Sequence, residues 1–84
     1  MINVDNHFVL ILNIVEEFSS NIKVLGIFHD KEEAVKAFKE ERISERIITE
    51  SNKYCVVSDT DDRYEVCAPG NYNNEHRLLF ITEA

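Results

Sequence analysis

The chain opens with two apolar runs, HFVLILNIV and NIKVLGIF, separated by EEFSS, and the second feeds directly into HDKEEAVKAFKEER. Period-two spacing predicts a strand over His7 to Glu16 and a second over Asn21 to Phe28, with a turn at 17–20. The first strand is apolar on both faces: Phe8, Leu10, Leu12 and Ile14 point one way, Val9, Ile11 and Val15 the other, and only Asn13 interrupts. Strands of that kind are normally covered on both sides. In the second, Ile22, Val24 and Phe28 share a face with Gly26, while Leu25 and Ile27 share the opposite one. A glycine inside a strand marks a bulge, a close backbone approach, or an ordinary tolerated residue.

Asp30 reads as a helix N-cap, accepting from the Glu33 amide while Glu33 reaches back in a capping box. Glu32 and Glu33 suit the positive end of the helix dipole, and Lys39 and Arg42 suit a negative end just beyond them. Ala34, Val35, Ala37 and Phe38 form an apolar stripe that Ile43 extends, opposite the solvated Glu32, Lys36, Lys39 and Glu40. The following ISERIITE is ambiguous, since Ser44 and Glu45 continue a helix but Ile47-Ile48-Thr49 has strand character. KYCVVS and RYEVCA then read as strands across a turn at 59–62. A Pro-Gly-Asn break and an Asn-rich loop lead to a last strand, RLLFIT. The expected fold is α+β: one domain, a small antiparallel sheet in the order β-β-α-β-β-β, and one main helix packed on one face.

One helix covers only one face of a sheet. The other face is left to the 43–49 segment, too short and too charged to shield all of it, or to a second copy of the chain. A homodimer through Val9, Ile11, Leu25 and Ile27 is therefore expected, since exposed aliphatic surface at about 25 cal/mol per Å² is unused burial and an aggregation hazard.

Charge narrows the partners further. With 16 acidic against 9 basic residues the net charge is −7, which argues against direct binding to nucleic acid or anionic lipid. The longest apolar run, Phe8 to Leu12, is far short of a bilayer span. The N-terminus lacks a basic n-region and a cleavage site, and two cysteines are too few for a secreted scaffold, so a cytoplasmic location is expected.

Candidate chemistry is sparse. If residues of the first hairpin pair with numbers summing to 36, His7 faces His29, the beginning of a metal site without a third ligand. If the second hairpin pairs with a sum of 122, Cys55 faces Cys67 within disulfide reach, whereas a sum of 121 puts them on opposite faces; in a reducing compartment the favoured expectation is two buried, reduced, inert thiols. Two glycines cannot build a phosphate cradle, and no serine sits in a nucleophile elbow. Asp59-Thr60-Asp61-Asp62 lacks the glycine and terminal glutamate of a calcium loop. Tyr54 and Tyr64 read as cross-strand packing partners and Tyr72 as an exposed contact residue. No catalytic residues, metal or cofactor are expected.

Lys23 to Ala37, KVLGIFHDKEEAVKA, resembles a stretch shared by many short uncharacterised proteins of phages, large DNA viruses and bacteria. In these a strand ending in Leu-Gly-x-Phe meets a capping residue and a Lys/Glu-rich helix. The resemblance covers Val9 to about Phe38, under half the chain. It implies a small α+β fold without assigned catalytic residues, and a viral accessory or anti-defence role.

The expected function is thus that of a non-enzymatic, acidic protein-binding module, an adaptor or inhibitor. It would occupy a basic partner surface through Glu40, Glu41, Asp59, Asp61, Asp62 and Tyr72. The competing expectation is a small-molecule- or metal-binding domain, or a small hydrolase, using His7, His29 or the cysteines.

Overall fold

A computed structural model describes residues 7–16, 18–68 and 75–83. Five strands and one helix follow in the order β1 (Phe8–Val15), β2 (Ser20–Phe28), α1 (Lys31–Ser51), β3 (Cys55–Asp59), β4 (Arg63–Cys67) and β5 (His76–Glu83). The sheet is antiparallel throughout with strand order β2-β1-β5-β4-β3, so the first and last strands in sequence lie side by side near its middle. The expected fold class and element order are those observed.

Alternation sets the core. Leu10 and Leu12 on β1 pair with Ile81 and Leu79 on β5, and Leu79 pairs in turn with Tyr64 on β4. These side chains face α1, where Phe38 is fully buried against Leu10, Leu12, Tyr64, Val66 and Leu79. The even-numbered face of β1 is therefore the covered one.

Both edge strands carry a bulge, and the three inner strands are regular. On β2 the register runs Phe8↔Phe28, Val9↔Ile27, Leu10↔Gly26 and then shifts to Ile11↔Val24, leaving Leu25 as the extra residue. Gly26 adjoins this bulge and also permits a close approach. A Cβ there would meet the Phe28 ring at 2.7 Å, so the ring occupies the space a side chain would take. On β3 the shift falls between Val56 and Ser58, opposite Val66 and Glu65. Bulged edges resist addition of a further strand.

The helix starts as expected and ends elsewhere. Asp30 Oδ1 accepts from the Glu32 amide at 3.0 Å, one residue earlier than the capping box requires. The ambiguous 43–49 segment is helical and carries α1 on to Ser51. Lys39 and Arg42 therefore lie mid-helix, away from its negative end, and the last turn has no basic residue. Termination is a Schellman motif: the Tyr54 amide donates to Thr49 O at 2.8 Å and the Lys53 amide to Glu50 O at 3.2 Å. Lys53 sits at φ 58°, the left-handed position where glycine is usual. The side chain of Asn52 adds a bond to Ile48 O at 2.7 Å.

Candidate interaction surface

The face of the sheet turned away from α1 is built from the odd residues of β1 and their register partners. Val9, Ile11, Asn13 and Val15 pair on one side with Ile27, Val24, Ile22 and Ser20 of β2, and on the other with Thr82, Phe80, Leu78 and His76 of β5. Across these three strands the face carries no Asp, Glu, Lys or Arg. Ile22, Val24 and Ile27 are 65%, 59% and 64% exposed. With 43–49 helical and on the other side, no element among the described residues covers this surface.

Of the residues expected to meet here, Val9, Ile11 and Ile27 do so by register. Leu25 falls at the bulge, on this side by alternation from Ile27, and is 38% exposed. The simple alternation misplaced Ile22 and Val24. The extra residue flips the phase of β2, moving both from the helix side to the side of Ile11, and Gly26 was the one sequence signal of that flip. Leu78 and Phe80 were missed because only the pairing of the last strand with the first brings them to this face. Asn13 sits in the middle of it, and its Oδ1 is buried with no hydrogen-bond partner among the described residues.

The histidines and cysteines register as the paired-sum reasoning gives. His7 and His29 stand at one end of the hairpin with ring centroids 4.6 Å apart and planes tilted by 53°. Cys55 is the direct partner of Cys67. Among the described residues no group of three or more His, Cys, Asp or Glu side chains is placed to hold a metal ion.

The acidic residues do not form one free row. Glu40 and Glu41 lie on α1, and Asp61 and Asp62 are exposed in the β3–β4 turn. Thr60 Oγ1 donates to Asp62 Oδ1 at 3.0 Å. Asp59 is taken up by two arginines: Arg42 Nη1 donates to Oδ1 at 3.2 Å and Arg46 Nη2 donates to Oδ2. That pairing raises the Arg46 pKa above its ordinary value. Tyr72 lies outside the described residues.

Beneath the second half of α1 a polar network replaces apolar packing. Arg77 grips Glu45 through Nε and Nη2 at 2.8 and 2.9 Å, while its Nη1 donates to Glu75 at 3.1 Å. The Glu45 bonds hold the Arg77 pKa above the ordinary arginine value. Tyr54 donates its hydroxyl to Glu75. Burial first, and that bond second, push its pKa up to about 12. Tyr64 OH and Thr49 Oγ1 share a bond at 2.8 Å in full burial. Tyr64 pairs across the sheet with Asp59, and Tyr54 precedes β3, so the two tyrosines are not cross-strand partners. On the opposite face of the sheet, where Arg63 and Glu65 are the register partners of Phe80 and Leu78, Glu65 lies between Arg63 and His76; the Arg63 bond first, then His76, lowers its pKa. The groups beneath α1 satisfy one another from α1 to β4 and β5, which is the arrangement of a structural network.

No protein-family model matches the chain, and no curated protein or solved structure has a significant match to it. No helix among the described residues is long and apolar enough to cross a membrane.

Proposed function

We propose that the protein is a non-enzymatic binding module that self-associates through the open sheet face and presents its acidic surface to a basic protein partner. The observation that carries this reading is the uncharged apolar face of β1, β2 and β5. A second copy suits it for three reasons. A chain of net charge −7 repels its own kind, and the β1, β2 and β5 part of this face carries no carboxylate to add to that repulsion. Bulges on β2 and β3 disfavour association by edge-to-edge strand pairing, which favours the face over the edges of the sheet. A two-fold contact places the same patch on both sides, so the matching apolar side chains of two copies bury one another.

Sedimentation equilibrium at micromolar concentration tests the self-association. The expected mass is twice the 9.8 kDa of the chain, and Ile11→Asp is expected to return it to the monomer value while the variant stays folded. A wild-type mass near 9.8 kDa overturns the reading. The basic partner engages Glu40, Glu41, Asp61 and Asp62, with Asp59 contributing less because Arg42 and Arg46 already neutralise it. Affinity for a protein captured from lysate is expected to fall steeply with salt, and a flat response rules out the electrostatic part.

A further inference from the structure

β3 is the least supported strand of the sheet. It lies at the edge, pairs with β4 alone, and α1 packs chiefly over β1, β2 and β5. Its far end is anchored through Asp59 to Arg42 and Arg46 on the helix. Its near end is Cys55, directly opposite Cys67. The neighbouring pair fixes the direction of both thiols. Val66 is fully buried beneath the helix and pairs with Val56, so Cys55 and Cys67 both project from the opposite face. Directly paired residues of an antiparallel ladder have Cα atoms about 4.5 or 5.5 Å apart. Both spacings lie inside the range of roughly 4.4–6.8 Å that a disulfide spans. Both cysteines are free, Cys55 exposed and Cys67 half-buried.

We propose that Cys55 and Cys67 are the site of a reversible cross-strand disulfide, formed by exchange with a small-molecule disulfide such as oxidised glutathione. The more accessible Cys55 loses its proton to solvent. Its thiolate attacks one sulfur of glutathione disulfide, giving a Cys55–glutathione mixed disulfide and releasing one glutathione thiolate. The Cys67 thiolate, its proton also lost to solvent, then attacks the Cys55 sulfur and expels the second glutathione thiolate. Two protein thiols are oxidised, one disulfide is reduced to two glutathione molecules, and the released protons reprotonate them. The bond pins the near end of β3 as Asp59 pins the far end. It involves no residue of β1 or β2, so it stands or falls apart from self-association.

The test uses the full chain in glutathione redox buffers, read by intact mass, peptide mapping and thermal unfolding. The expected product has lost two hydrogens, links Cys55 to Cys67 within one chain, and melts about 10 °C higher than the reduced protein. Dithiothreitol reverses both changes. Cys55→Ser and Cys67→Ser are expected to melt like the reduced wild type and to show no gain in oxidised buffer. Accumulation of a stable glutathione adduct on Cys55, a link between two chains, or unmodified thiols throughout overturns the proposal. A Cys55–Cys67 bond that leaves the melting temperature unchanged refutes the pinning of β3.

Discussion

The two halves of α1 are held to the same sheet by opposite means. In the first half Ala34 and Phe38 are fully buried, and Phe38 packs carbon against carbon with Leu10, Leu12 and Leu79. In the second half the buried positions are Glu45 and Thr49, and they meet the sheet through Arg77 and Tyr64. The isoleucines of that half turn outward, Ile43 and Ile47 being 63% and 65% exposed. A helix of 21 residues is thus amphipathic in the ordinary sense for its first turns and inverted for its last. Apolar contact tolerates imprecision, whereas a buried ion pair offsets its desolvation only when every donor and acceptor is matched. The second half should therefore be the more fragile to loss of a single partner, and the more easily replaced as a unit.

That contrast is tested most severely at Arg77. Arg77→Ala strands the Glu45 carboxylate, whose side chain is 6% exposed, and is expected to cost about 3–5 kcal/mol in urea unfolding. Phe38→Ala should cost about the same by leaving a cavity. The difference lies in rescue. Glu45→Leu combined with Arg77→Met is expected to recover most of the loss, because removing both charges removes the desolvation as well. A double variant as unstable as Arg77→Ala alone would show that the ion pair contributes more than its replacement by carbon, and the comparison between the halves would fail.

The network of the second half also has a pH signature. Tyr54 is raised to about 12 in the folded chain by burial and by its bond to Glu75, against about 10 when unfolded. A raised pKa means that the folded state favours the protonated phenol, so this contribution is complete below about pH 10 and is lost as pH climbs to about 12. Stability should decline across that window more steeply in the wild type than in Tyr54→Phe. Parallel declines would mean that neither burial nor the Glu75 bond holds the Tyr54 phenol protonated.

The two halves also differ in how far they could be read from sequence. Asp30, the first-turn glutamates and the Ala34–Phe38 stripe are local signals, and they located the first half and its packing face correctly. Glu45 gives no such signal, because its partner lies 32 residues away and a glutamate in a helix normally reads as solvated. The chain end of the helix was hidden for a related reason: Lys53 occupies the left-handed position that glycine would have advertised. On the sheet, β1 was legible because both its faces are apolar and regular. β2 was legible only from the bulge onward, since the extra residue reverses the phase of Ile22 and Val24 before it. The open face was foreseeable from β1 alone, but its breadth depends on β5 returning to pair with β1, which no local pattern encodes.

Lys53 supplies a smaller test at the junction of α1 and β3. A side chain at φ 58° costs roughly 1 kcal/mol relative to glycine, offset in part by the extra freedom glycine gains when unfolded. Lys53→Gly is expected to stabilise the protein by up to about 1 kcal/mol with the Schellman bonds intact. A loss of stability would place the second half of the helix under a different terminal constraint.

The smallest expected effect is the most discriminating for the inverted half. Ile43 and Ile47 lie one turn apart on the outer surface of α1, where hydrophobic spacing alone would have turned them inward. Replacing both by Gln removes two β-branched residues from an exposed helix surface and deletes no buried contact. Unfolding stability should change by no more than about 0.5 kcal/mol, in contrast to the several kcal/mol at Phe38. The measurement belongs at two protein concentrations. An unchanged stability at both assigns the stripe to solvent and leaves association to the sheet face. A loss that appears only at the higher concentration, together with a lower sedimentation mass, would mean that the copies meet through the helix. In that case the isoleucines of the second half would be serving the packing role that Phe38 serves in the first, with their partner outside the chain.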